Sequence, residues 1–306
     1  MKAVIPAAGL GVRFLPLTKA QPKEMLPVVD KPTIQYVVEE AIAAGISDII
    51  IVTGAGKRAI EDHFDRSPEL EAVLERNGKE EELQEIRRIS HLAEIHYIRQ
   101  KTPRGLGDAV YCARRHIGNE PFAVMLGDTI NIAAVPVVKQ LMDVHELLGT
   151  SVIAVERVPR EKIRDYGIIK ARNVRERLHL IEDLVEKPIP DQAPSDYGIT
   201  GTYILTPSIF HCIEQTPAGR NGEIQLTDAL RLLLREEKIY AYEFEGKRYD
   251  IGDKLGWMKT NLELILDHPE FSEETTKFLL DLLRRKKIIK GTKEGTRREK
   301  SNNMLD

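Results

Sequence analysis

The stretch MKAVIPAAGLGVR (1–13) decides the fold. Residues 1–5 form a short apolar run that reads as a strand, and two glycines follow at once. A glycine-bearing loop that leaves a buried strand lets backbone N–H groups approach phosphate oxygens with no Cβ in the way. The loop also carries cations: Arg13 near its start, then Lys19 and Lys23 within LPLTKAQPKEMLP (15–27). Glycines for close approach, with three positive charges on one loop, point to a site for a polyanion such as a nucleoside triphosphate.

Two better-known phosphate fingerprints do not fit. A dinucleotide fold would want G-x-G-x-x-G, but the spacing from Gly9 runs Gly9, Gly11, Phe14, so the third glycine is missing. Pro16, Pro22 and Pro27 also prevent a helix from starting promptly behind the loop. The G-K-[ST] of a P-loop is absent as well. A dehydrogenase reading therefore has no support, and the competing explanation of the paired glycines is a tight structural turn.

Working outward, strand and helix patterns alternate through the first half. A helix over 32–45 puts Ile34, Val37, Val38, Ala41 and Ile42 on one face, with Gly45 as its stop. The run 48–53 is β-branched throughout, as expected of a strand covered on both faces. Charged helical sequence fills 57–89, followed by a strand at 95–99, a helix at 107–117, a strand at 122–126 and a helix at 134–148. Alternation of this kind predicts an α/β layered sheet with right-handed crossovers. In the second half, strands at 151–156, 167–171, 178–185 and 198–205 follow with few helices between, which predicts an antiparallel or mixed extension. Helices resume at 224–237, 254–266 and 273–290. The last of these ends in Arg284, Arg285, Lys286 and Lys287, favourable for the helix dipole. Residues 291–306 are polar and aperiodic and read as a disordered tail, a solvated one in preference to one whose basic run touches nucleic acid or an acidic partner.

At 306 residues the chain can bury a sizeable core. Its net charge of −3 implies no broad nucleic-acid surface. Cys112 and Cys212 lie in apolar helical contexts without partner spacing, so both read as buried thiols in a reducing compartment. His91 and His96 do not converge on a metal at their spacing. The chain opens on a core strand rather than on a leader pattern, and no apolar run approaches membrane-spanning length. A cytoplasmic protein is expected, with neither a membrane nor a nucleic acid as its partner.

Several later residues carry candidate chemistry. Asp128 in LGD (126–128) follows a buried strand, where an open α/β sheet places its ligand crevice. It either holds a divalent metal or caps the next turn. Asp250 in RYDIGD (248–253) is a second candidate at a strand end. Mg²⁺ takes one or two carboxylates plus substrate phosphates. Glu186 and Lys187 in EKP (186–188) form either a surface ion pair or a pair that accepts sugar hydroxyl hydrogens and neutralises a phosphate. Glycines in GITGTY (198–203) mark close approach within a strand.

In its ordered combination of motifs the chain resembles the bacterial and archaeal UTP–glucose-1-phosphate uridylyltransferases, the UDP-glucose pyrophosphorylases of the sugar nucleotidyltransferase family. The matching stretches are VIPAAGLGVRFLP (4–16), PKEMLPVVDKP (22–32), RQKTPRGLGDAV (99–110), LGD (126–128), DYG (165–167), VEKP (185–188), GEIQLTDAL (222–230) and YDIGDKLG (249–256). The resemblance implies an α/β, Rossmann-like, three-layer GT-A-like fold with a mixed, mostly parallel central sheet. It implies one nucleotidyltransferase domain over 1–290, with a nucleotide-binding half at 1–130, a sugar-binding half at 131–266 and C-terminal helices over 254–290. The implied reaction is Mg²⁺-dependent transfer of UMP from UTP to glucose 1-phosphate, giving UDP-glucose and pyrophosphate, in a homodimer or homotetramer.

By the same resemblance, Ala8, Gly9, Leu10 and Gly11 with Arg13 and Lys23 hold the triphosphate, and Arg13 and Lys23 assist the chemistry. Gln100 and Gly105 read the uracil. Asp128 and Asp250 ligate Mg²⁺. Gly167, Glu186 and Gly201 meet glucose hydroxyls, and Lys187 grips the sugar phosphate. Three positions depart from the family pattern. Thr129 stands where a second Asp is frequent, Val12 where a small hydroxyl residue is usual, and Asp108 where His is frequent beside the base pocket. TTP or another sugar 1-phosphate as substrate, and a non-catalytic nucleotide-sugar-binding regulator, stay open as alternatives.

Overall fold

The computed structural model describes residues 1–219 and 222–289. The chain opens with β1 (Lys2–Pro6), three 3-10 turns (Val12–Phe14, Leu17–Lys19, Lys23–Met25), β2 (Pro27–Val28), β3 (Lys31–Pro32) and α1 (Thr33–Ala43). Next come β4 (Asp48–Thr53), α2 (Arg58–Phe64), α3 (Pro68–Arg76), α4 (Glu80–Ser90) and β5 (Glu94–Arg99). Then follow α5 (Leu106–Cys112), α6 (Arg114–Ile117), β6 (Phe122–Met125), β7 (Thr129–Ile132) and α7 (Val137–Leu148). The second half holds β8 (Val152–Arg157), β9 (Gly167–Arg175), β10 (Leu178–Glu186), β11 (Tyr197–Leu205), α8 (Ser208–Gln215) and α9 (Leu226–Leu233). It closes with β12 (Tyr240–Glu243), β13 (Lys247–Asp250), α10 (Lys254–Leu266) and α11 (Ser272–Arg285).

Among the described residues the central sheet has nine strands in the order β5-β4-β1-β6-β11-β8-β12-β10-β9. β5, β4, β1 and β6 are mutually parallel. β11 and β10 run against the other seven. The expected mixed sheet with a parallel majority is found, and the antiparallel strands fall in the second half.

Side-chain alternation along the strands builds a core on each face of the sheet. Val4, Ile50, Val52 and Val124 point to one side and pack with α5, α8 and α9 through residues such as Val110, Ile209 and Leu230. Ala3, Ile5, Ile49 and Ile51 point to the other and pack with α1, α2 and α7 through Val37, Ile60 and Leu141. Both layers are dry: Val4, Ile5, Ile49 and Ile51 expose no surface. That is the three-layer arrangement, and it accounts for the continuous β-branched run at 48–53.

Several expectations are adjusted. The charged helical stretch 57–89 resolves into three helices, broken near Pro68 and the glycine at 78. The apolar helical context read around Cys212 is helix α8, whose buried face is Ile209, Phe210, Cys212 and Ile213. The expected helix at 224–237 is shorter, Leu226–Leu233. Cys212 is buried, but Cys112, at the end of α5, is only partly so; both are free thiols. The chain divides into two compact units, Met1–Thr260 and a second beginning at Asn261. In the second, α11 has Glu273 and Glu274 in its first turn and Arg284 and Arg285 in its last, the charge order the helix dipole favours. The tail expected over 291–306 lies outside the described residues. No helix among the described residues is long and apolar enough to cross a membrane.

Candidate active site

The carboxyl ends of three parallel strands, β5, β1 and β6, lie on one edge of the sheet, with β4 between the first two. The glycine loop leaves β1, Gln100 follows β5, and Leu126-Gly127-Asp128 follows β6. They line a cleft of about 560 Å³ within the first unit. Ala8, Gly9, Leu10, Gly11, Arg13, Lys23, Gln100, Gly105, Asp128, Gly167, Glu186, Lys187, Gly201 and Asp250 all border it, whereas Lys19, the third cation expected at the phosphate site, is exposed at the end of a 3-10 turn and is not among the lining residues.

The two candidate metal acids come together through a small separate sheet. β13 pairs antiparallel with β7, and Asp250 lies opposite Thr129 in that register. The Ile251 amide donates to the Asp128 carbonyl at 3.3 Å. Residues distant in sequence are thereby held side by side. Arg13 reaches the same spot, since a Cβ on Gly252 would lie 2.8 Å from Asp250 Oδ1 and 3.3 Å from an Arg13 guanidinium nitrogen.

Charge is densest around Lys23. Its ammonium donates to Asp128 Oδ2, with 21% and 17% of the two side chains exposed. Burial works against the Lys23 charge, but Asp128 and Glu24 outweigh it and hold its pKa above the ordinary lysine value. Burial likewise opposes the Asp128 carboxylate. The Lys23 charge, the Lys23 hydrogen bond and nearby Arg13 overcome it and keep its pKa below the usual range. Behind Lys23, buried Glu24 accepts from buried Lys57 Nζ at 2.8 Å. Burial is the main cause raising the Glu24 pKa, with Lys23 and Lys57 opposing.

Around Asp250, Tyr166 donates its hydroxyl to Oδ2, and Arg248 reaches both the Tyr166 oxygen at 3.0 Å and Asp250 Oδ2 at 3.6 Å. Arg248 is itself anchored by Glu156, its Nε donating at 2.9 Å. The Tyr166 pKa is pushed up to about 12, by burial first; the Asp250 charge adds to this and Arg248 opposes it.

The far wall holds the sugar-phosphate candidates. Glu186 Oε2 accepts from Thr227 Oγ1 at 2.6 Å, and its Oε1 lies 3.1 Å from exposed Lys187 Nζ. The ion pair is present, and both of its residues border the cleft. Gly201, at φ +94° in a bulge of β11, must be glycine: a Cβ there would lie 2.7 Å from Leu126 Cδ1. Gly105, at φ +96°, leaves only 2.7 Å between an added Cβ and the Ile224 carbonyl oxygen.

Of the departures, Asp108 is buried and bonded to Gln100, Thr129 is buried beside Asp250 in register, and Val12 is exposed on the loop. Tyr166, Arg248, Thr227, Glu24 and Lys57 were not singled out beforehand. Four of them lie inside or beside the quoted motifs. Lys57 had its own signal, a second glycine loop with a cation behind β4 (TGAGK, 53–57).

Among the described residues no group of three or more His, Cys, Asp or Glu converges as a metal cluster. Where β13 pairs with β7, the cleft offers a cation the carboxylates of Asp128 and Asp250, oxygen donors only. That set suits a hard ion such as Mg²⁺ that takes its remaining ligands from phosphate and water, and it does not suit a stand-alone protein cage.

Residues 2–265 match the nucleotidyl transferase family. The chain is 55% identical over 287 residues to a UTP–glucose-1-phosphate uridylyltransferase of Bacillus subtilis, covering 94% of this chain and 98% of that one. A Staphylococcus haemolyticus protein of the same name is 54% identical, with 92% and 98% covered. Among solved structures, a UDP-glucose pyrophosphorylase complexed with UDP-glucose superposes with a TM-score of 0.80 at 43% identity, covering 87% of this chain and 99% of that one. A UTP-bound enzyme from Acinetobacter baumannii reaches 0.85 at 39% identity, with 92% and 99% covered.

Proposed function

Because the chain belongs to the nucleotidyl transferase family, we propose that it transfers the uridylyl group of UTP to glucose 1-phosphate, releasing pyrophosphate and forming UDP-glucose. The observation that carries this reading is the cleft itself. A cation-bearing glycine loop, two adjacent carboxylates and a Glu–Lys pair line one cleft of about 560 Å³. The names of the relatives and their bound UTP and UDP-glucose agree with it.

A phosphate oxygen of glucose 1-phosphate attacks the α-phosphorus of UTP, forming the new P–O bond as the bond to pyrophosphate breaks in line. No protein nucleophile is required, so catalysis is positioning and charge stabilisation. The loop from Ala8 to Gly11 holds the triphosphate by backbone N–H groups, with Arg13 and Lys23 facing its charge. Lys23 is kept protonated by Asp128 and Glu24. Lys187 holds the sugar phosphate, and Glu186, Gly167 and Gly201 meet the glucose. Gln100 and Gly105 form the base wall. Asp128 and Asp250 would hold Mg²⁺, which when bound screens the repulsion between two anionic substrates. Tyr166 and Arg248 fix the orientation of Asp250.

On this reading residues 1–130 form the nucleotide half and 131–266 the sugar half of a cytoplasmic homodimer or homotetramer. The test is pyrophosphate release with UTP, glucose 1-phosphate and Mg²⁺, run beside TTP and beside galactose and N-acetylglucosamine 1-phosphates. UTP with glucose 1-phosphate is expected to give the highest kcat/KM. Absence of pyrophosphate with that pair overturns the proposal.

A further inference from the structure

Asp108 stands on α5 against the base wall, in a position the reaction itself does not use. It is 5% exposed and Gln100 is 4% exposed. Gln100 Nε2 donates to Asp108 Oδ2 at 2.7 Å and to the Gly105 carbonyl at 3.3 Å. Arg104 donates to the other Asp108 oxygen at 2.7 Å in an ion pair. A carboxylate paired with a guanidinium accepts hydrogen bonds and donates none, and a carbonyl oxygen does likewise. Both neighbours of the Gln100 amide on this side are therefore acceptors, and its orientation follows from chemistry. Both N–H groups of Nε2 are spent inside the protein. Only Oε1, an acceptor, remains to be offered to a ligand.

We infer that Asp108 is a specificity-determining residue that locks the Gln100 amide, so that the site selects nucleotides whose base presents an imide N–H, uracil or thymine, over cytosine. The inference rests on the reading that the edge of the base meets Gln100. Uracil brings a donor at N3 and satisfies Oε1. Cytosine brings a lone pair at the same atom and leaves two acceptors facing each other in a buried site. A site built around one hydrogen bond rejects an analogue that cannot make it far more strongly than an apolar pocket rejects a change of size.

The substitution Asp108→Asn tests this, because Arg104 dictates how the new amide sits. Arg104 keeps the asparagine carbonyl as its acceptor, which aims Nδ2 at Gln100. Gln100 then turns its Oε1 toward residue 108 and its N–H groups toward the base. Dissociation constants for UTP and CTP are measured by calorimetry on the full-length protein and on the variant, with Mg²⁺ present. The parent is expected to bind UTP about tenfold or more tighter than CTP. In the variant this ratio is expected to fall by about tenfold, UTP weakening while CTP tightens. A purely structural role for Asp108 would weaken both nucleotides alike. The inference is overturned if the parent binds both equally or neither, or if a folded variant keeps the parent's ratio or loses both affinities together. If Asp108→Asn melts below the assay temperature, Asp108→Ser, which also removes the acceptor-only partner, takes the same measurement. Pyrophosphate release by the parent is followed separately: its absence with the binding ratio intact sinks the reading of the reaction and leaves this inference standing.

Discussion

Replacing Lys57 by Met removes one partner of a buried charge pair and leaves the other in place. Glu24 and Lys57 expose 1% and 6% of their side chains and meet at 2.8 Å. Breaking such a pair from one side costs about 3–5 kcal/mol, because the remaining charge is stranded in a low-dielectric interior. Glu24 keeps a second cation nearby in Lys23, so the lower end applies, about 3 kcal/mol. For a unit of this size that is a fall in Tm of roughly 6 °C or more, read by circular dichroism. The double variant Glu24→Leu/Lys57→Met removes both charges and should recover most of the loss, since an apolar pair of similar volume is often no less stable than a buried ion pair. The pH dependence has a definite sign. The Glu24 pKa is already above its ordinary 4.5, burial being the largest cause, and Lys57 is one of the groups holding it down. Without Lys57 the native state binds the Glu24 proton more tightly still. The deficit of the single variant should then shrink as pH falls from the raised native value toward 4.5. A Tm within about 2 °C of the parent at neutral pH, or a double variant less stable than the single, would refute the reasoning.

Three further outcomes are expected. Lys23→Ala should lower kcat by about 100-fold or more, the scale of one lost stabiliser of transition-state charge, and near-normal turnover in a steady-state assay excludes that role. Asp250→Ala should lose Mg²⁺-dependent turnover while keeping the circular dichroism spectrum of the parent; full activity would remove Asp250 from the site. Glu40, bonded to Asn131 and to the Val138 amide, has its pKa raised to about 7, with burial the largest cause. The native state therefore binds its proton more tightly than the unfolded chain does. Stability should fall by up to about 3 kcal/mol as pH rises from 4.5 to above 7, and Glu40→Gln should flatten that slope in urea melts taken at each pH.

What could be seen in the sequence followed from how the site is made. Residues at the carboxyl ends of β1 and β6 sit next to runs whose apolar pattern names them as strands, so Gly9 and Asp128 could be placed before any coordinates, whereas Gln100 came only from the family resemblance. The β-branched run at 48–53 similarly announced a strand covered on both faces. Pairings between distant segments had no such marker. Nothing local to Glu24 says that Lys57 will lie against it, because an acid beside a cation in sequence reads equally well as solvated. Nothing local to Tyr166 says that its hydroxyl will meet Asp250. Helix α8 was legible only as an apolar helical context for Cys212, because its eight residues are too few for its bounds to stand out. Asp108 illustrates the limit most clearly. In sequence it is a departure from a pattern, and its meaning depends on which atoms Gln100 has left to offer. That is decided by the carbonyl of Gly105 and the guanidinium of Arg104, two groups whose placement depends on the glycine turn at φ +96°. A donor–acceptor inventory needs three-dimensional neighbours before it can be counted, so substrate choice becomes legible later than fold or reaction class.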